Sequence, residues 1–464
     1  MDLNKYTSLP KRITIAGSFI FASALLSLAM LPAANAQKRE EYENIPAELS
    51  EPYIPSAQMV DPATATELSL DELLVFADQN APTIRVARAE VERVKADQTA
   101  ARATFPENPA LGLGAGPRII DGDSGMSFEV SLEQTIELSG ARGLRLDALQ
   151  AAEQVALAEV NEARWAIHVE THALYNDLLV NIEQRDQAQR FLEFAQSLRD
   201  IAQRRIDAGE SSPLTLFAAD ADLARAGNEV SRANEDETRI RAEIAAVVGW
   251  PSESIPPVTG ELEPIRKAPD TKVLLKRMRN NHPQLRTRRL ASVLAERRIQ
   301  FADREAWPNP TLGLSYEREG EPDAGPSPQT WMFSVSVPIP LWQRNQGPRQ
   351  RAQADLSLAE QKQHAAALKL RSELTAAASA LTATAERVEQ YDRAVIAPLE
   401  QNLTLLQRAY ELGEVDIYQI SQMRESLLEA HARYIDARHE YYQAAAILEG
   451  LVGAELWPTE GSNP

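Results

Sequence analysis

Along residues 143–208 the apolar positions fall three and four apart, as at Phe191, Phe194, Leu198 and Ile201, while Glu183, Arg185, Asp186 and Arg190 lie between them. That spacing gathers the apolar side chains on one stripe of a helix and leaves the charged ones in water. The stretch has no proline, and no glycine after Gly143, so nothing in it stops a helix. At about 1.5 Å per residue it predicts a rod about 100 Å long, packed along its stripe like a coiled coil. A second such stretch covers residues 347–412. Pro398 falls inside it and is expected to kink or loosen that rod, because proline removes a backbone hydrogen bond.

Shorter helical patterns flank the rods. Residues 70–105 read as helix, broken at Asn80-Ala81-Pro82 and stopping at Phe105-Pro106. After the first rod, Gly209 suits a helix end and Ser212-Pro213 a helix start, so a helix is expected over 214–248. A helix over 416–450 holds the corresponding place after the second rod.

Elsewhere the period changes to two. Leu111, Leu113 and Ala115 alternate with glycines, and after a turn at 121–125 the run Ser127-Phe128-Glu129-Val130-Ser131-Leu132 alternates polar with apolar. This predicts a β-hairpin over 108–136. A second, over 309–340, sets Leu312, Leu314 and Tyr316 beside Trp331, Phe333, Val335 and Val337.

The pattern occurs twice. Asn281-His282-Pro283 repeats Asn80-Ala81-Pro82 at an offset of 201, and Asn309-Pro310-Thr311-Leu312-Gly313-Leu314 repeats Asn108-Pro109-Ala110-Leu111-Gly112-Leu113 at the same offset. Gly413 matches Gly209, and Val452-Gly453 matches Val248-Gly249, both at 204. The shift falls at the second hairpin, where a longer turn is tolerated. The organisation is therefore one duplicated unit: repeat 1 over 68–250, a linker with five prolines over 251–270, repeat 2 over 271–453 and a tail over 454–464. An extended strap is expected over 37–67, on Pro46, Pro52, Pro55 and Pro62.

Residues 1–36 carry Lys5, Lys11 and Arg12, an uncharged apolar run, and Pro32-Ala33-Ala34-Asn35-Ala36. That is the pattern of a cleaved export signal rather than an anchor. Its removal takes away three positive charges and Asp2, moving the formal charge from −19 to −21. Such a charge repels a phosphate backbone, so no nucleic-acid partner is expected. With no cysteine in the chain there is no disulfide, thiolate site or lipid-modified cysteine.

Strands of about ten residues with one apolar face fit the outer wall of a transmembrane barrel. Trp307, Trp331 and Trp342 cluster at the second hairpin, as aromatic residues do at membrane surfaces. A soluble sheet would alternate in the same way. Four strands cannot close a barrel that needs about eight, so either the sheet packs on the helices or several chains share one barrel.

These residues resemble the outer-membrane efflux channels, the TolC-like family, and within it the outer-membrane component of cobalt-zinc-cadmium type heavy-metal efflux systems. The likeness spans about 68–453. It is most specific over Phe333-Ser334-Val335-Ser336-Val337-Pro338-Ile339-Pro340-Leu341-Trp342-Gln343-Arg344-Asn345-Gln346-Gly347, with support from Trp307-Pro308-Asn309-Pro310 and Ala409-Tyr410-Glu411-Leu412-Gly413-Glu414-Val415. The resemblance implies a mainly α fold with a small β part. In it a duplicated coiled-coil barrel carries four strands per chain into a transmembrane β-barrel shared by a homotrimer. It implies a periplasmic adaptor of the membrane-fusion type, an inner-membrane pump of the resistance-nodulation-division type, and outer-membrane lipid as partners. By the same likeness Gly209, Glu210, Ser211, Ser212, Pro213, Leu412, Gly413, Glu414, Val415 and Asp416 form an adaptor-docking tip. Some members carry gate aspartates six and nine residues past the turn glycine. This chain has Gln419 and Gln422 there after Gly413, and Thr215 at the sixth position after Gly209, so the gate positions are uncharged.

Three apparent chemical motifs are weaker. Gly122-Asp123-Ser124-Gly125 resembles a serine-protease nucleophile segment, but that family places its histidine earlier and the first histidine here is His168. Gly112, Gly114 and Gly116 lead into a strand, not into the helix a dinucleotide needs. His168 and His172 stand one helical turn apart and could bind zinc, yet two ligands make a weak site. The expectation is a passive duct for heavy-metal cations, with no enzyme activity, cofactor or resident metal. A periplasmic coiled-coil scaffold or adaptor, or the same duct carrying drugs or a secreted polypeptide, remain the alternatives.

Overall fold

The computed structural model describes residues 59–457 except 121–122, 210, 321–327, 413 and 416. The export signal at 1–36, most of the strap, the end of the tail, and Glu210, Gly413 and Asp416 of the tip lie outside the described residues.

The chain is mainly helical with one small sheet. Helix α1 (Leu70–Asn80) starts at Ser69, whose side chain caps the helix while Glu72 reaches back to the Ser69 amide at 2.8 Å. Helix α2 (Pro82–Ala101) begins after a single hinge residue, Ala81, with Pro82 where its missing N–H costs nothing. It ends at Ala101, short of the expected Phe105-Pro106 stop. The Arg142 guanidinium takes the carbonyls of Arg102 and Ala103 at 2.7 and 3.1 Å, and Pro106 keeps Phe105 out of helical geometry.

Strands β1 (Ala110–Ile120) and β2 (Asp123–Thr135) follow, then the long rod α3 (Ala141–Asp207) and α4 (Pro213–Val248). The second repeat gives α5 (Thr271–Asn281), α6 (Pro283–Glu305), β3 (Thr311–Arg318), β4 (Gln329–Ser336) and α7 (Gln346–Tyr391). Here the second rod departs from the first. It widens into a π turn over Asp392–Ile396, where the Ala397 amide donates to the Asp392 carbonyl, before continuing as α8 (Ala397–Glu411). The cause is Pro398, whose ring would collide with the carbonyl four residues back, so the turn before it opens by one residue. Helix α9 (Ile417–Val452) returns along the rods.

The repeated motifs meet in space. Gly249 ends α4 at φ +75°, and a Cβ there would lie 2.4 Å from the Asn80 carbonyl oxygen. Gly453 ends α9 at φ +78°, and its Cβ would lie 2.6 Å from His282 Cα. Each helix end thus seats on its own repeat's hinge, and only glycine fits both the left-handed turn and the close approach. The linker meets the start of repeat 1 as well: the Leu68 amide donates to Pro257 and the Thr259 amide to Leu68, each at 2.9 Å.

Four apolar clusters hold the helices together, the smallest being Val91 and Val94 of α2 against Ala156 and Val160 of α3. One joins Leu73, Phe76, Ile84, Leu178, Ile244 and Trp250 in repeat 1. The second joins Leu274, Met278, Leu285, Leu374, Leu381 and Leu448 in repeat 2. The third mixes the repeats toward the turns, with Phe191 and Leu198 of α3 against Leu403, Ile420 and Leu427. The sheet shares none of these cores. Its order is β1-β2-β3-β4, antiparallel throughout, with β1 and β4 as its edges.

Candidate functional site

The register of the sheet sorts its side chains into two unlike faces. Leu111, Leu132, Leu314 and Phe333 lie in one row across the four strands, and Leu113, Val130, Tyr316 and Trp331 in the next. Because side chains alternate along a strand, both rows share one face. That face is uncovered: Leu113 is 76% and Trp331 70% exposed, and Leu111, Leu132, Leu314 and Phe333 are exposed with them. The opposite face carries Gly112, Ser131, Ser315 and Met332 in one row and Gly114, Glu129, Glu317 and Thr330 in another, with Glu133 beside Gly313. Tyr316 and Trp331 pack at 4.9 Å between ring centroids. Strands β1 and β2, of 11 and 13 residues, reach the length of about 9–11 residues that a tilted transmembrane strand needs, and β3 and β4, of 8 residues each, fall just short of it. An uncovered apolar face, a mainly polar face of small and acidic residues, and two edges without ladder partners among the described residues are what a wall section of a larger barrel presents.

The expected tip residues lie at two helix-to-helix turns. In the first, Gly209 adopts φ +74° and its amide donates to Ile206 at 2.9 Å, which turns the chain out of α3. Ser212 caps α4 by accepting from the Leu214 amide at 3.1 Å, with Pro213 in the first turn. Ser211 donates to the Thr215 hydroxyl at 2.9 Å, so Thr215 is tied to the turn and half-buried. In the second turn the Leu412 amide donates to Arg408 at 3.2 Å and the Glu414 amide to Ala409 at 2.8 Å. Glu414 is exposed, Val415 packs half-buried on the third cluster, and Gln419 and Gln422 are exposed.

The sequence did not mark the apolar skin of these turns. Leu214 is 74% exposed, and Phe217, Leu412 and Tyr418 are exposed too. Leu214 and Phe217, three apart at the start of α4, read like any buried stripe, so pattern alone could not say that this one is bare. Nor did it reveal the polar tie behind the turns. Arg424 of α9 sits 2.7 Å from Asp222 of α4, and Ser421 donates to the same carboxylate at 2.8 Å. Both charges are buried, and burial pushes the Arg424 guanidinium below its ordinary value although Asp222 opposes the shift.

His168 and His172 lie on α3 facing the end of α9. Glu449 stands 3.2 Å from His172 Nδ1 and 3.6 Å from His168 Nε2, and Glu455 4.0 Å from His168 Nε2. Three of the other four histidines go separate ways: His439 meets Asp177 at 3.0 Å, His431 meets Glu400 at 3.4 Å, and His282 caps α6. Ser124 stands on β2 opposite Ile119, a strand position.

Comparison with known proteins agrees with this geometry. The family model of the outer membrane efflux protein matches residues 73–250 and 274–454, one stretch in each repeat. The cobalt-zinc-cadmium resistance protein CzcC of Cupriavidus metallidurans is 23% identical over 323 residues, which cover 68% of this chain and 75% of that protein. Among solved structures, CusC superposes with a TM-score of 0.67 at 14% identity, covering 88% of this chain and 99% of its own. The open state of the Neisseria gonorrhoeae MtrE outer membrane channel superposes with a TM-score of 0.63 at 16% identity, covering 89% and 98%.

Proposed function

Because this chain belongs to the outer membrane efflux protein family, we propose that it forms the outer-membrane duct of a tripartite efflux assembly. The observation that carries this reading is the open four-stranded sheet with one bare apolar face. Four strands cannot close on themselves, whereas three chains joined edge to edge give twelve. In that homotrimer the leucine and aromatic face meets outer-membrane lipid. The face with Gly112, Gly114, Ser131, Glu129, Glu133 and Glu317 lines a water-filled lumen. The rods α3 and α7–α8 then run into the periplasm and their helix-to-helix turns form the far tip. A periplasmic scaffold would have no use for so large an uncovered apolar sheet.

The tip is the docking surface for a periplasmic adaptor. Leu214, Phe217, Leu412 and Tyr418 offer it apolar contact beside the polar Ser211, Ser212 and Glu414. The adaptor joins the duct to an inner-membrane pump of the resistance-nodulation-division type, which supplies the energy, so this chain is passive and no enzyme. Thr215, Gln419 and Gln422 narrow the mouth without charge. The chain reaches its place by a cleaved signal over 1–36 and is not lipidated, having no cysteine.

The cargo is a divalent heavy-metal cation, as the likeness to a cobalt-zinc-cadmium resistance protein supports. Acidic side chains on the lumen face suit cations, because carboxylates attract the opposite charge and repel anions along the path. Deleting the chain from its native host should raise cellular cobalt, zinc or cadmium and lower tolerance to that ion. Unchanged tolerance to all three, with increased sensitivity to organic drugs, would overturn the metal cargo and keep the duct.

A further inference from the structure

The two histidines that the sequence left as an incomplete pair acquire partners from the far end of the chain. His168 and His172 are one turn apart on α3, so both rings leave the same side of that helix. Glu449 lies in the last turn of α9, and Glu455 comes just after the Gly453 turn. Gly450 lets the helices approach, since a Cβ there would stand 3.3 Å from the Val169 side chain. Trp165 fixes the arrangement by donating from Nε1 to the Gly450 carbonyl at 3.1 Å while its ring stacks on His168 at 5.0 Å.

Three donor atoms, one each from His168, His172 and Glu449, all lie within 4.8 Å of one another. The nitrogen-to-oxygen separations are 3.2 and 3.6 Å. Ligands bonded to tetrahedral zinc at about 2.0–2.1 Å stand about 3.3 Å apart, so one ion fits among these atoms with small side-chain shifts. Glu455, half-buried at the edge of the group, is placed to supply a fourth ligand through a carboxylate oxygen. A second observation points the same way. The His168 side chain is only 6% exposed, its Nε2 is aimed into this group, and among the described residues that nitrogen has no hydrogen-bond partner. A buried ring nitrogen left in that state calls for a ligand, because an unsatisfied polar atom in the interior is costly.

We propose that His168, His172, Glu449 and Glu455 bind one divalent cation of the zinc class, resident between the two repeats. Two imidazoles with two carboxylates suit zinc or cobalt over magnesium or calcium, which take all-oxygen sites. The ion is a clamp, not cargo: it ties the middle of α3 to the end of α9, beside the Gly453 seat on the repeat 2 hinge. The site is independent of what the duct exports.

The test uses the full chain, purified in detergent, stripped with a chelator and dialysed against Zn²⁺ or Co²⁺ alone. One zinc per chain is expected, together with the intense visible absorption of tetrahedral cobalt. His168→Gln and His172→Gln should each weaken zinc binding by at least about a hundredfold, and Glu455→Gln by about tenfold, with helical content unchanged. Where a histidine variant fails to fold, the cobalt spectrum of the unaltered chain decides, since its buried ligands either give the tetrahedral bands or do not. Absence of stoichiometric zinc, a pale octahedral cobalt spectrum, or equal zinc binding by folded variants would overturn the site and leave a histidine-carboxylate ion pair only.

Discussion

Lowering the pH should loosen repeat 2 through a single imidazole. His282 is 8% exposed at the hinge between α5 and α6, and its Nδ1 accepts from the Gln284 amide at 3.2 Å. Burial pushes this side chain down from 6.5 to about 4. The folded chain therefore keeps the ring neutral over a range where the unfolded chain protonates it. Below the ordinary value the unfolded state binds the extra proton, so stability falls as the pH drops through 6.5 and levels off below about 4. The shift of 6.5 − 4 = 2.5 pH units corresponds to about 3 kcal/mol per chain at about 1.4 kcal/mol per unit, of which about 2.5 is lost by pH ~4.5. Protonation also turns Nδ1 into a donor facing the Gln284 N–H, which removes the cap. His282→Asn keeps a capping acceptor and removes the titration. Denaturant unfolding of both proteins, followed by helical circular dichroism between pH ~7.5 and ~4.5, should show the wild-type advantage shrinking by about 2 to 3 kcal/mol. A difference that stays constant within about 0.5 kcal/mol across that range would refute the buried neutral ring.

Four further outcomes follow from the packing. Gly453→Ala and Gly249→Ala should each destabilise the helices by roughly 2 kcal/mol or more, read as a lower unfolding midpoint, since the new Cβ meets backbone as well as a left-handed φ. Arg424→Ala should cost about 3 to 5 kcal/mol by leaving the Asp222 charge buried, while a Leu pair replacing both residues should recover most of it in a double-mutant cycle. Leu113→Arg should weaken membrane insertion by about 2 to 4 kcal/mol in a lipid-folding titration, whereas Ser131→Arg on the opposite face should change it far less. Pro398→Ala should let the π turn close to a regular helix, seen as slower amide exchange over 392–398.

Much of the architecture was readable because period and punctuation are local. The alternation through Leu111, Leu113, Val130 and Leu132 reappears as one face of the sheet, and the mostly helical chain with four strands is the fold its pattern implied. The prolines were read with less success. Pro398 announced a disturbance but not its form, because whether a helix kinks or widens depends on what it packs against. The end of α2 moved because Arg142, forty residues on, donates to the carbonyls of Arg102 and Ala103 just past the helix. The site residues were least legible. Glu449 reaches His172 across 277 positions and Asp222 reaches Ser421 across 199, and no spacing rule links positions so far apart. Leu214 and Phe217 carry the same apolar signature as buried neighbours, so their exposure emerges only from the turn they flank.

The proposed duct rests on open sheets joining into one water-filled barrel, and planar-bilayer conductance of the purified, detergent-extracted chain tests that most directly. Discrete, cation-selective channels are expected, with selectivity weakened when Glu129, Glu133 and Glu317 on the lumen face are replaced by glutamine. Folded protein that repeatedly forms no pore would contradict the account and return the sheet to a soluble scaffold.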